Sequence, residues 1–123
     1  MEFKDNQAIY LQIAELFFEN ILSQKWLPGD RIPSVREMAV TVEVNPNTVM
    51  RTFTYLQDKG IIYNKRGIGY FVADDGFELT KALKKDDFVS QELPELFKAM
   101  DLLNVSLDDL KTYYETYQQG GMS

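Results

Sequence analysis

With 123 residues, 45% of them hydrophobic, the chain is long enough for one or two small domains with a real core. It contains no cysteine and no histidine, which excludes disulfides, thiolate chemistry and the commonest general base and metal ligand. There is no uninterrupted apolar run of roughly 18 residues, so no membrane span is expected, and the opening MEFKDNQAIY lacks the basic-then-apolar order of a secretory signal. A cytoplasmic, non-catalytic protein that needs no cofactor and no metal is the expectation. The net charge of −6 is unevenly spread. Residues 1–73 balance eight basic side chains against eight acidic ones, whereas residues 74–123 carry five basic and eleven acidic ones. A neutral head with clustered cations precedes an acidic tail.

The first helix is predicted from about Gln7 to Ser23, because Ile9, Ile13, Leu16, Phe17 and Ile21 form one stripe. Leu27-Pro28-Gly29-Asp30 breaks that pattern as a turn. Ser34 with Glu37 three residues on is a capping box, in which each side chain satisfies an otherwise orphaned amide of the other. Val35, Met38, Ala39 and Val42 give the second helix its buried face. Asn45 as cap and Pro46 at the first helical position open a third helix over about 45–59, with Val49, Phe53 and Leu56 facing inward and Lys59-Gly60 as its stop. Ile61-Ile62-Tyr63 and Tyr70-Phe71-Val72 are β-rich runs joined by a glycine-containing turn.

Asp74-Asp75-Gly76 marks a change of character, which predicts domains at 1–73 and 74–123. Residues 77–92 are charged and helix-like, and Leu93-Pro94 starts a new helix or kinks the old one. Leu96, Phe97, Met100 and Leu103 form a stripe, and Asn104 stops it. Ser106 opens a last helix carrying Leu110, Tyr113, Tyr114 and Tyr117, and residues 118–123 are expected to fray. The predicted fold is mostly α with a small β-wing: an N-terminal winged helix-turn-helix, then a short helical extension.

That architecture offers one helix and one basic hairpin to duplex DNA. Asn47, Thr48 and Arg51 are predicted on the outer face of the third helix. Asn pairs with adenine, Thr meets a base edge or a phosphate, and Arg grips guanine or phosphate. Arg31, Ser34 and Arg36 flank the start of the second helix, the end that approaches the sugar-phosphate backbone in a helix-turn-helix. A surface ion pair with Asp30 or Glu37 is the other use open to the two arginines. Ser34 and Asn45 are explained by capping as well as by contact with DNA. Lys65, Arg66, Gly67 and Gly69 make up the wing, predicted over 64–70, where cations enter a minor groove or lie along phosphates. The acidic pairs Asp86-Asp87 and Asp108-Asp109 point about 100° apart on a helix and do not converge, so they are read as a solvated face. A protein–protein adaptor that keeps the fold without binding DNA is the alternative favoured by the acidic total charge. An enzyme finds no nucleophile–base pair or metal cluster to support it.

Four ordered segments carry a family resemblance: Leu27-Pro28-Gly29-Asp30-Arg31-Ile32-Pro33-Ser34-Val35-Arg36-Glu37-Met38-Ala39, Val44-Asn45-Pro46-Asn47-Thr48-Val49, Leu56-Gln57-Asp58-Lys59-Gly60-Ile61 and Arg66-Gly67-Ile68-Gly69-Tyr70-Phe71-Val72. Over roughly residues 7–73 the chain resembles the GntR family of bacterial transcription regulators. Its short tail, with Glu92-Leu93-Pro94-Glu95-Leu96 and Leu103-Asn104-Val105-Ser106-Leu107, is similar to the YtrA-type branch. In that branch a small helical extension replaces a large effector-binding domain. The resemblance implies a dimeric DNA-binding regulator, often encoded beside transporter genes that it represses. It implies DNA contacts at Arg31, Ser34, Arg36, Asn45, Asn47, Thr48 and Arg51, and at the wing around Lys65, Arg66, Gly67 and Gly69. Many relatives in other branches have Arg where this chain has Pro46 or Met50, so their base code does not transfer. The missing histidines also exclude the His-rich metal site of the branch with larger helical effector domains.

The expected function is therefore a sequence-specific, homodimeric regulator, a repressor acting by promoter occlusion. Two-fold symmetry predicts a near-palindromic double-stranded operator with half-sites about one helical turn apart. The tail is expected to join subunits through Phe88, Leu96, Phe97, Met100, Leu103, Leu107, Leu110, Tyr113, Tyr114 and Tyr117. Any small-molecule effector, unknown in identity, is expected to act by changing the angle between the two heads.

Overall fold

The computed structural model describes residues 7–121. The helices are α1 (Ile9–Leu22), α2 (Val35–Val42), α3 (Pro46–Asp58), α4 (Gly76–Asp87), α5 (Leu93–Leu103) and α6 (Leu107–Gln118). Strands β1 (Ile62–Lys65) and β2 (Gly69–Val72) lie between α3 and α4. The fold is the expected one, mostly helical with a two-stranded antiparallel wing. The chain divides into two compact units that meet at Leu83 and Lys84, within α4.

In the first unit the core collects the predicted apolar faces. Ile13, Phe17 and Ile21 of α1 meet Met38, Ala39 and Val42 of α2 and Val49, Phe53 and Leu56 of α3. Phe53 is the pivot: its ring meets Phe17 edge-on at 5.3 Å and Tyr70 of β2 at 4.7 Å. Edge-to-face geometry places a ring's positive rim against its neighbour's negative face, so these contacts fix orientation as well as burying area. Ile9, expected in the α1 stripe, is instead 45% exposed. Thr52 is fully buried on α3, and its hydroxyl donates to the Tyr10 carbonyl oxygen at 2.7 Å.

Local chemistry explains the element ends. The capping box of α2 forms: the Glu37 N–H donates to Ser34 Oγ at 3.1 Å and the Ser34 N–H to Glu37 Oε1 at 3.0 Å. Gly60 ends α3 in the left-handed region, and the Ile61 N–H donates to the Leu56 carbonyl, the bond that closes a Schellman motif. The same bond pattern ends α2, from the Val44 N–H to the Ala39 carbonyl, but there the left-handed residue is Glu43 (φ +56°). A side chain with a Cβ is strained in that conformation. Glu43→Gly is therefore expected to raise stability by about 1 kcal/mol, read as a higher urea midpoint at unchanged slope. An unchanged or lower midpoint would show that no strain is held there.

The wing pairs Ile62 with Val72, Tyr63 with Phe71, Asn64 with Tyr70 and Lys65 with Gly69. A third segment extends it. Residues read from sequence as a plain turn run along β2: the Gly29 N–H donates to the Val72 carbonyl, Val72 to Asp30 and Ile32 to Tyr70. Arg31 thereby faces Phe71 in an antiparallel bridge.

The first turns of α4 belong to the first unit's packing. Phe77, Leu79 and Leu83 lie against the core, and Gly76 is buried. A Cβ on Gly76 would stand 2.9 Å from both the Ile61 carbonyl oxygen and Val72 Cγ1. Backbone on one side and a buried valine on the other have little room to yield. Gly76→Ala should cost about 1–3 kcal/mol of stability, measured by chemical denaturation. A loss below about 0.5 kcal/mol, the range of an inert surface change, would mean that the close approach is not tight.

In the second unit Pro94 determines the path. It has no amide N–H, so the Ser90 carbonyl four residues back loses its helical donor. The backbone widens into a π turn over Phe88–Glu92, where the Leu93 N–H reaches the Phe88 carbonyl. Asn104 (φ +55°) ends α5, and Ser106 and Asp109 form a second capping box at α6. Of the residues expected to fray, Gly120 and Gly121 instead close α6 by donating to the Tyr117 and Thr116 carbonyls; residues 122–123 lie outside the described residues.

Candidate nucleic-acid interface

The helix-turn-helix is α2, the turn Glu43–Asn45, and α3. At the start of α3 the Asn45 side-chain oxygen accepts from the Asn47 N–H at 2.8 Å, so this oxygen is already engaged as a cap. Pro46 follows, leaving one fewer donor to satisfy. Asn47 is exposed, Thr48 is half-buried and Arg51, one turn on, is exposed. Met50, where many relatives in other branches are expected to carry Arg, is 38% exposed on the same helix.

Arg31 reaches the wing. Its side chain crosses Gly69 so closely that a Cβ there would lie 2.9 Å from Arg31 Nε. Gly69 has φ +146°, and it is the missing side chain at this position that lets the guanidinium pass. The Glu37 carboxyl is held below its ordinary value, chiefly by its bond from the Ser34 N–H and then by the Ser34 hydroxyl, while the charge of Arg31 adds less than the opposing effect of desolvation. Because that value is lowered in the folded chain, the cap stabilises α2 above the ordinary carboxylate range and is lost as pH falls through the lowered one. The Arg31 guanidinium lies against the wing, three residues before the α2 cap at Ser34. Ser34 sits there half-buried, its hydroxyl oxygen accepting the cap bond, and Arg36 is exposed at the second residue of α2.

The wing carries Lys65 and Arg66 exposed beside Gly67. Lys65 Nζ lies 5.2 Å from the centre of the Phe71 ring, and Phe71 stacks on Tyr63 at 5.6 Å. Two aromatic rings therefore stiffen the strand that presents the cations. Ile68, between the two glycines at the tip, is 58% exposed and was not foreseen; the only sequence signal was an apolar residue in a hairpin turn. Arg51 is tied to α1, its guanidinium 4.2 Å from the centre of the Tyr10 ring.

The predicted tail residues are mostly uncovered. Leu103 and Leu107 are 73% and 70% exposed, and Phe88, Leu96, Phe97, Tyr113, Tyr114 and Tyr117 are also exposed. Leu110 is half-buried, while Met100 is buried within its own chain and offers little surface to another. Among the described residues no group of three or more Asp or Glu side chains is placed to hold a metal ion, and no helix is long and apolar enough to cross a membrane.

The model of the family described as bacterial regulatory proteins, gntR family, matches residues 9–72. The chain is 37% identical over 120 residues to the HTH-type transcriptional regulator YhcF of Bacillus subtilis (strain 168), covering 98% of both chains. It is 32% identical over 107 residues to the HTH-type transcriptional repressor YtrA of the same organism, covering 87% of this chain and 82% of YtrA. A solved GntR-family regulator from Bacteroides thetaiotaomicron is 45% identical and superposes with a TM-score of 0.75 over 92% of this chain and 99% of its own. The DNA-binding domain of AraR in complex with operator ORX1 superposes with a TM-score of 0.53 at 27% identity, over 58% of this chain and 93% of that one. These relatives are regulators rather than enzymes, and the chain belongs with them to the GntR family of DNA-binding transcriptional regulators, with YtrA among its relatives.

Proposed function

We propose that the protein is a cytoplasmic homodimeric repressor that binds a near-palindromic operator and controls a neighbouring operon, a transporter operon being the favoured kind. Residues 1–73 read the DNA and residues 74–123 join the subunits. The observation that carries this reading is the approach of the Arg31 guanidinium to Gly69 of the wing, the residue paired with Lys65. Cations gathered at the wing give phosphate its partners, while Asn47 and Arg51 stay exposed for base edges. The superposition on a DNA-binding domain bound to its operator supports placing α3 in a major groove with the wing beside it.

The tail supports self-association. None of the residues of α6 is buried, yet the helix displays three tyrosines, and a groove of about 420 Å³ lined by Phe97, Met100, Val105 and Leu107 is open. Exposed apolar helix faces of this kind mark an interaction surface. A second copy gives a closed, isologous solution. The adaptor alternative rested on total charge alone, and the acidic excess lies in residues 74–123, whereas the charges of residues 1–73 balance.

Footprinting on the DNA upstream of the protein's own gene and its neighbours tests the repressor assignment. The expected result is two protected half-sites about one helical turn apart, overlapping a promoter. Protection far from any promoter, or increased transcription when the protein is present, would remove the repressor assignment.

A further inference from the structure

Arg51 is exposed on α3, yet its guanidinium is not left to solvent. Its central carbon lies 4.2 Å from the centre of the Tyr10 ring, on the first turn of α1. The backbone that carries the ring is itself held in place. Thr52, next to Arg51 and fully buried, donates its hydroxyl to the Tyr10 carbonyl oxygen at 2.7 Å. The Tyr10 ring also meets Tyr55, one turn further along α3, edge-on at 6.1 Å. Tyr55 in turn carries the Lys59 ammonium 5.8 Å from its own ring centre.

An exposed arginine samples many rotamers and must give most of them up when it binds. A ring face that already holds the guanidinium takes part of that loss in the free protein. The guanidinium carbon stands over the ring face, which offers no hydrogen-bond acceptor atom. The N–H donors lie in the guanidinium plane and remain available to guanine or to a phosphate oxygen. We propose that Tyr10 is a positioning residue for DNA recognition: it holds Arg51 in the pose in which α3 presents it to the duplex. This extends the recognition apparatus onto α1, outside the helix-turn-helix and the wing, and it rests on the proposed reading of DNA by α3.

The probe is the duplex that the full-length wild-type protein enriches from a random pool, compared with a scrambled duplex of the same composition. Tyr10→Leu is expected to weaken binding to the enriched duplex by about two- to fivefold, while Tyr10→Phe leaves it unchanged. Phenylalanines of increasing fluorination at position 10 keep the ring's shape while draining its negative face, so affinity should fall stepwise without loss of fold. In an Arg51→Ala background all position-10 variants should bind alike. Thermal melting of each variant reports packing separately. A Tyr10→Leu loss that persists in the Arg51→Ala background, or fluorinated rings that bind as phenylalanine does, overturns the positioning role while leaving DNA reading intact. If the pool yields no duplex preferred over the scrambled one, DNA reading falls and the role of Tyr10 falls with it.

Discussion

Reversing the charge of Arg36 and Arg51 together, to glutamate, is expected to lower duplex affinity by at least about a hundredfold while leaving the head folded. Both side chains are exposed, so neither supports the core. Each charge-assisted bond to DNA is worth about 1.5–3 kcal/mol, and two per subunit reach or exceed a hundredfold before the new repulsion is counted. The two arginines are expected to differ when changed singly to alanine. Arg36→Ala, at the start of α2, should weaken binding to all sequences and flatten the dependence on salt by about one phosphate contact. Arg51→Ala should also change which sequences are preferred, because α3 is the element expected to meet base edges. Wild-type affinity in the double variant, titrated by fluorescence anisotropy across salt concentrations, would place the DNA surface elsewhere on the chain.

Replacing Leu103 and Leu107 with lysine is expected to give a monomer whose operator affinity falls about a hundredfold or more, the range by which linking two sites exceeds one. Both leucines are more than two-thirds exposed, so the substitutions leave the chain's own packing intact. Lysine adds attraction for DNA, so a loss of affinity cannot come from the new charge. Sedimentation equilibrium reads the assembly and the same titration reads the affinity. A double variant that still sediments as a dimer would move the interface away from the ends of α5 and α6.

The parts of this protein that were legible in its sequence are those whose physics is local. Ser34 with Glu37, Asn45 with Pro46, and Lys59-Gly60 state their own helix ends, because a cap needs residues only a few positions away. The apolar spacing of Val49, Phe53 and Leu56 fixed which face of α3 is buried, and therefore which face is offered outward. What escaped depends on pairing across the chain. Nothing in Gly29-Asp30-Arg31-Ile32 announces that it will run along β2, yet that pairing is what brings Arg31 to Gly69. Tyr10 and Thr52 are 42 residues apart, and their bond exists only once α1 packs on α3. Gly76 read as a boundary because its neighbours are two aspartates, whereas in the fold it is the point where a helix passes a β-strand too closely for a Cβ. The tail's stripe was legible as apolar, but periodicity does not say which members face their own chain. Met100 turned inward while Leu103 and Leu107 stayed out.

The central claim is that two copies of α3 read one symmetric site. Selection of random duplex DNA by the purified full-length protein, followed by sequencing of the bound fraction, tests it most directly. The expected outcome is a two-fold symmetric motif with half-sites about one helical turn apart, whose preferred bases change on Asn47→Ala. An enriched motif with a single unpaired half-site, or no enrichment at low salt, would contradict it.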